Sequence, residues 1–306
     1  MKVLVTGASG FVGAFVARDL AASGHDVTGV YRTETRFLTA VARAAPVTLV
    51  RSDLGNISGI AGAFDSIVHA AATSPGRGID ARRIVRDNVV ATMSLMAAAE
   101  TWRTQRLIFC SSLSVYGDIT SPVVDEMTPI VNPDAYGASK YLCERMLADR
   151  ASTLPVLALR LPGVLGPGAH RNWLSGVASR LIAGDAVRAY RLDAPFNNAA
   201  YVSDISTLIQ QALARTWTGF DAVVLGAGGS LTVREAIERL ASRLRAVPTI
   251  VETPPPKPSF TLSSERAMTV WGYAPLHIGH VIDAYAADVL AWAGAPADVR
   301  REAVGD

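Results

Sequence analysis

A phenol and an ammonium four residues apart, Tyr136 and Lys140 in DAYGASKYL, are the side chains of this 306-residue chain best suited to acid–base chemistry. On a helix that spacing puts both on one face. A free phenol titrates near ~10, too high for proton transfer at neutral pH, and a neighbouring ammonium favours the phenolate and brings it down. The pair can then pass a proton to and from an alcohol or ketone oxygen. Tyr141 is adjacent, so the sequence alone leaves open which phenol Lys140 serves. Upstream, LIFCSSLSVYGD reads as a buried strand, Leu107–Cys110, ending in the hydroxyls of Ser111, Ser112 and Ser114. Ligands of open α/β sheets lie beyond the carboxyl ends of the strands, so a serine there can donate to the oxygen that Tyr136 protonates. The alternative is that these serines satisfy backbone at the strand end or cap a turn.

A second group surrounds the glycines of LVTGASGFVG, Leu4–Gly13. A strand, a Gly-rich turn and a helix together make a pyrophosphate site from backbone N–H groups and the helix dipole. Gly7 permits the turn, Gly10 lets phosphate approach the backbone, and Gly13 lets helix and strand pack closely. An acid about 20 residues on would bind an adenosine ribose diol. Tyr31 stands there instead, followed by Arg32. A guanidinium suits a 2′-phosphate, so NADP is favoured over NAD; Glu34 is close enough in sequence to take up that charge. Asp53, after the third strand, either reaches the adenine amino group or caps the next short helix.

These residues need a frame. Short β-branched runs (Lys2–Val5, Val27–Tyr31, Val47–Arg51, Ser66–Ala70, Arg106–Ser111, Val156–Arg160) alternate with helical stretches, among them a long one from about Ala81 to Thr101 and another from about Asp134 to Ser152. That alternation predicts a parallel sheet covered on both faces, a doubly wound Rossmann α/β fold. Residues 1–165 form the dinucleotide-binding domain, and about 195–225 return to it. Residues 166–306 form mainly a smaller C-terminal α/β substrate lobe: a helix Trp173–Ala183, a helix N-capped by Asp204 and running to Ala214, a strand Ala222–Leu225, and a capping box at Thr232–Glu235 opening a helix to Arg245. A proline linker follows at Thr253–Pro258, then a last helix Ile278–Ala293 and a polar tail.

Composition narrows the classes. Net charge is +2 and the basic residues are scattered, which argues against nucleic acid as a partner. No apolar run approaches the ~20 residues that span a bilayer, and no signal peptide precedes the first strand. The only cysteines, Cys110 and Cys143, make neither a disulfide framework nor a thiolate metal site, which fits a cytoplasmic protein without a metal.

Taken in order, TGASGFVG, Asp53–Leu54, VHAAA at Val68–Ala72, DNVVAT around Asn88, SSLSVYG, YGASK and RLPGVLGPG resemble the extended short-chain dehydrogenase/reductase family of sugar-nucleotide epimerases, dehydratases and reductases. SERAMTVWGYAP resembles that family's C-terminal segment. The resemblance implies that Ser112 fills the catalytic hydroxyl slot, that Tyr136 is the acid/base, and that Lys140 holds the nicotinamide ribose and tunes the tyrosine. Asn88 matches an Asn that steadies the active site through water. Phe11 and Val12 within the glycine run, Leu54, Ala70, Ala71 and Ala72 line the cofactor, and Pro162, Gly163 and Val164 pass the nicotinamide amide. Thr73, Ser74, Ser112, Ser114, Asn172 and Asn197 are the implied substrate contacts. Relatives often pair as homodimers through two long helices, here those holding Asn88 and Tyr136; their apolar stripes equally suit the protein's own core.

The same resemblance ranks the reactions. Sugar 4,6-dehydratases carry Asp-Glu after the catalytic hydroxyl, where this chain has Leu113 and Ser114. Epimerisation retains its cofactor, commonly NAD, whereas Arg32 hints at an exchanged NADP. Net oxidoreduction at a secondary alcohol or ketone of a sugar or nucleotide sugar therefore ranks first, and a nucleotide-sugar 4-epimerase second. Family members acting on UDP- or dTDP-sugars usually grip the diphosphate with an Arg in R-D-[FY]-[IV]-H-V. The segment here is NNAAYVSD, with Asn197 in the Arg position, which leaves room for a free sugar or sugar acid. A non-catalytic NADP sensor is the reading of another class, and retention of Tyr136, Lys140 and Ser112 speaks against it.

Overall fold

The computed structural model describes residues 1–255 and 257–293. The polar tail, and Pro256 of the proline run, lie outside the described residues. Strands β1 (Lys2–Thr6), β2 (Asp26–Tyr31), β3 (Val47–Arg51), β4 (Ser66–His69), β5 (Arg106–Ser112), β6 (Val156–Leu161) and β7 (Phe220–Val224) form one sheet in the order β7-β6-β5-β4-β1-β2-β3. β1 pairs in parallel with β2 and β4, β2 with β3, and β4 with β5. The chain thus builds outward from β1 to β3, then returns to the other side of β1, creating the switch point at which doubly wound sheets bind ligands. β4 and β6 are buried at every position, as strands covered on both faces must be, and their polar members Ser66, His69 and Arg160 are buried with the apolar ones.

Helix α1 (Phe11–Ala22) follows β1, and α2 (Arg36–Ala44), not anticipated from the sequence, follows β2. α3 runs Ala81–Ile84, passes through a π-helical turn at Val85–Val90 and resumes as Ala91–Trp102; α4 is Ala135–Asp149. Leu4, Ile67, Leu95, Leu107, Phe109, Leu147 and Val156 meet in one core between the sheet and these last two helices. Each such side chain contributes about 1.5–3 kcal/mol on burial.

The chain divides into two compact units. The first holds residues 1–118, 129–160 and 206–223, and the second holds 119–128, 161–205 and 224 onward. The second packs its own core, Leu174, Val177, Leu181, Ile237, Leu240, Ile278, Val281 and Ile282, from α5 (Trp173–Ala183), α7 (Val233–Leu244) and α8 (Ile278–Ala293). The expected capping box opens α7: Glu235 N donates to Thr232 Oγ1 at 3.1 Å and Thr232 N donates to Glu235 Oε2 at 2.7 Å. Asp204 is not a cap. Helix α6 (Val202–Leu213) begins two residues earlier, and the Asp204 carboxylate accepts from Leu276 N at 3.0 Å.

Candidate active site

The glycine turn comes first. Gly7 sits at φ +72°, and a Cβ there would lie 2.7 Å from Ala71 N. A Cβ at Gly13 would lie 2.2 Å from Gly7 O. Both are therefore bare so that β1, α1 and the loop after β4 can close on one another. Gly10 differs: only Gly7 O, at 3.2 Å, approaches its Cβ position, so its outward side is open. Gly10 is also the N-cap of α1, with no side-chain cap and no acid in the first helical turn. No carboxylate in the first turn opposes an anion at the leading amides, the environment a pyrophosphate needs. The residues present fit a dinucleotide.

Gly7, Gly10, Tyr31, Arg32, Asp53, Leu54 and Ala70–Thr73 line a single cleft, joined by Ser9, Thr33, Ser52 and Asp87, which sequence reading missed. Asp53 does cap the turn after β3, accepting from Gly55 N at 2.9 Å, and it faces the cleft as well. Arg32 does not turn to Glu34. Its guanidinium meets Asp87 Oδ2 at 3.1 Å. Partial burial opposes ionisation of Asp87, but hydrogen bonds from Arg86, Thr73 and Arg32 outweigh it and hold the carboxyl at about 2.

At the end of β5, Ser112 Oγ accepts from Ser114 N at 3.1 Å and caps the turn Leu113–Tyr116. The capping reading is therefore correct for its lone pair, while the O–H remains able to donate. Tyr136 lies in the first turn of α4, which Asp134 caps by accepting from Gly137 N at 2.7 Å. Gly137 brings the two pieces together: a Cβ there would stand 1.9 Å from Ser114 O. One turn on, Lys140 is 2% exposed, and its Nζ donates to Cys110 O at 2.7 Å and lies 4.6 Å from the centre of the Phe109 ring. The ammonium is thus fixed at the β5 end, two residues from Ser112. Its charge, added to burial, lowers His69 to about 3.

Asn88 makes direct hydrogen bonds to its neighbours. Its Oδ1 accepts from Thr73 N at 2.7 Å, and its Nδ2 donates to Thr73 O at 3.2 Å and to Ser139 Oγ at 3.0 Å. Ser139 Oγ then donates to Tyr136 O at 2.7 Å. Asn88 lies within the π turn of α3, a local widening common at functional sites. It therefore ties the loop after β4 to the backbone of the tyrosine. Of the other expected contacts, Thr73 spends its hydroxyl on Asp87 Oδ2 at 2.7 Å, and Ser74 is exposed.

The remaining expectations fall in the second unit, where Pro162, Gly163 and Val164 lie in or beside a short strand, Gly163–Leu165, paired with Ala199–Tyr201. Asn172 caps α5, accepting from Ser175 N at 2.9 Å and donating to Val164 O at 3.0 Å. Asn197 is 6% exposed: Nδ2 donates to Leu262 O at 2.9 Å and Ala227 O at 3.3 Å, and Oδ1 accepts from Leu262 N at 2.8 Å. Both amides are engaged with backbone. Among the described residues no group of three His, Cys, Asp or Glu is placed to hold a metal, and no helix is long and apolar enough to cross a membrane.

Comparison with known proteins agrees with this frame. The profile of the NAD dependent epimerase/dehydratase family matches residues 3–226. A UDP-glucose 4-epimerase of Corynebacterium glutamicum is 30% identical over 177 residues, which is 56% of this chain and only 53% of that protein. A dTDP-glucose 4,6-dehydratase of Streptomyces niveus is 28% identical across 90% of this chain and 88% of its own. A D-erythronate dehydrogenase of Cupriavidus necator is 27% identical across 94% and 98%. The crystal structure of a UDP-glucose-4-epimerase from Stenotrophomonas maltophila with bound NAD and formylated UDP-arabinopyranose superposes with a TM-score of 0.81, covering 96% of this chain and all of that one at 21% identity.

Proposed function

The chain belongs to the NAD dependent epimerase/dehydratase family, and within it we propose an NADP-preferring oxidoreductase that acts on a secondary alcohol or ketone of a polyhydroxylated substrate carrying no nucleotide. Asn197 carries this reading. It stands where sugar-nucleotide members place the diphosphate-gripping Arg, and its amide is spent on the backbone of Leu262 and Ala227. A neutral, saturated group cannot replace a bidentate guanidinium. The relative matched over nearly its whole length and named for a substrate without a nucleotide, the D-erythronate dehydrogenase, points the same way.

Each residue has a task. Tyr136 gives or takes the proton of the substrate oxygen. Ser112 donates its O–H to that oxygen and holds it against the phenol. Lys140 spends one of its three donors on Cys110 O, which leaves two for the cofactor ribose and the phenol. Asn88 and Ser139 hold the backbone of Tyr136. When bound, the nicotinamide supplies or takes up the hydride. The leading amides of α1 hold the pyrophosphate, and Arg32 is the group suited to a 2′-phosphate. The exposed Val85, Val90, Met93 and Leu142 on α3 and α4 support a homodimer through that face. The buried free thiols, Cys110 and Cys143, suit a reducing cytoplasm.

A nucleotide-sugar 4-epimerase with retained NAD is the second reading, favoured by the Corynebacterium relative. Native mass spectrometry followed by absorbance assays separates the two. The expected outcome is no co-purified nucleotide sugar, and reduction of NADP by a free sugar or sugar acid but not by UDP-sugars. Interconversion of UDP-sugars without net cofactor change would overturn the proposal. In the same assay Tyr136→Phe loses turnover by about 100-fold or more and keeps cofactor affinity, whereas a cofactor-binding sensor shows no turnover to lose.

A further inference from the structure

Arg32 reaches an acid for which the cofactor reading has no use. Asp87 comes from the π turn of α3, 55 residues along the chain from Arg32, yet both side chains line the cleft. The carboxylate has other support. Oδ2 accepts from Thr73 Oγ1 at 2.7 Å, Oδ1 accepts from Arg86 Nε at 2.8 Å, and Arg83 Nε stands 3.6 Å from Oδ2. Asp87 itself is only 5% exposed at the side chain, while Arg32 is 44% exposed. The contact with Arg32 thus joins a fixed carboxylate to a half-exposed, long side chain, as do those with Arg83 and Arg86, which are 46% and 65% exposed. Such a pair is weak and is readily exchanged. If Arg32 leaves, Thr73 and Arg86 still satisfy Asp87, so the departure strands no buried charge.

We propose that Asp87 is a specificity-determining residue: it competes with the 2′-phosphate of the dinucleotide for Arg32, so discrimination between the phosphorylated and unphosphorylated cofactor is set by the Arg32–Asp87 pair and not by Arg32 alone. The inference rests on the NADP reading above. A phosphate monoester, carrying up to two charges, out-competes a single carboxylate for the guanidinium. An unphosphorylated ribose leaves the pair closed and gains nothing from it.

Isothermal titration of NADP⁺ and NAD⁺ into the wild type, Asp87→Asn, Arg32→Ala and the double variant tests this. Asp87→Asn should tighten NADP⁺ roughly fivefold, the scale of one such weak pair, and leave NAD⁺ within twofold. In the Arg32→Ala background the same change should do almost nothing. An equal gain with and without Arg32 would reduce the effect to removal of a negative charge and overturn the competition. So would an unchanged NADP⁺/NAD⁺ ratio in Asp87→Asn, provided Arg32→Ala lowers that ratio. An Arg32→Ala ratio equal to wild type instead sinks the NADP reading itself. Should Asp87→Asn not fold, a crystal structure of the wild type with NADP⁺ decides: Arg32 is expected on the 2′-phosphate with Asp87 still held by Thr73 and Arg86, and Arg32 remaining on Asp87 refutes the proposal.

Discussion

Arg160 and Glu144 face each other in parallel inside the first unit, with Nε to Oε1 at 3.1 Å and Nη2 to Oε2 at 2.7 Å, and neither side chain is more than 8% exposed. The pair reaches both flanks of Ser112. Ser111 Oγ donates to Glu144 Oε1 at 2.5 Å, and Arg160 Nη1 donates to Tyr116 OH at 2.8 Å. Glu144 is one helical turn beyond Lys140, so the strand end bearing the hydroxyl and the helix bearing the phenol and ammonium share one buried anchor. Burial opposes the charge on Arg160, but its contacts with Glu144 and Tyr116 prevail and raise its pKa above the ordinary value.

Removing one partner should be worse than removing both. Arg160→Met leaves a buried carboxylate without its counter-ion and should cost about 3–5 kcal/mol. Combining it with Glu144→Gln should recover part of that loss, because the uncompensated charge goes. Urea denaturation of the two single variants and the double reads the difference. A double variant as unstable as the sum of the singles would show that the two side chains are not coupled.

Gly137→Ala should damage catalysis more than binding. The new Cβ would stand 1.9 Å from Ser114 O, so α4 and the serine turn must separate. Over-packing of this kind costs about 1–3 kcal/mol, and a misplacement near 1 Å costs about 100-fold in rate. The glycine loop is untouched, so cofactor affinity measured by titration should stay close to wild type. Wild-type turnover in this variant would mean that the contact between Gly137 and Ser114 does not position Tyr136.

Which parts of this were legible in the sequence follows from how local each signal is. The sheet was readable because short β-branched runs alternate with segments that carry helical periodicity. The glycine turn and the placement of Tyr136 and Lys140 on one helix were readable because each lies in a contiguous run whose spacing has a mechanical reason, whereas Ser112 was distinguished from Ser111 and Ser114 by the family resemblance. Contacts made across the chain were not. Glu34 is Arg32's neighbour in sequence, but Asp87 is its neighbour in space, and no periodicity announces a π turn. Asp204 has the chemistry of a cap and sits near a helix start, yet Leu276 N claims its carboxylate from 72 residues away. Asn197 shows the limit of matching by position: the slot was identifiable, but the side chain's bonding with Leu262 and Ala227 was not.

His69 should make the fold sensitive to acid over a defined interval. The ring is fully buried, with Nδ1 2.7 Å from Thr6 Oγ1 and Nε2 3.0 Å from Thr92 Oγ1. Thr92 spends its hydroxyl proton on Asn88 O at 2.6 Å, so Nε2 must be the donor towards it. Thr6 Oγ1 accepts from Ala71 N at 3.2 Å and is free to donate to Nδ1. These partners assign the neutral Nε2–H tautomer and leave no acceptor dedicated to a second proton. Burial, then the charge of Lys140, lowers the pKa from 6.5 to about 3. The unfolded chain therefore binds one proton more than the folded chain between those values. The associated stability is complete above pH 6.5 and is lost as pH falls towards 3, at a slope of up to about 1.4 kcal/mol per pH unit. His69→Gln keeps a donor and an acceptor but cannot titrate. Although it lowers stability at neutral pH, its loss of stability between neutral and mildly acidic pH should be shallower than that of the wild type. Denaturant midpoints measured across that range give the two slopes, and equal slopes would show that His69 does not set the acid sensitivity.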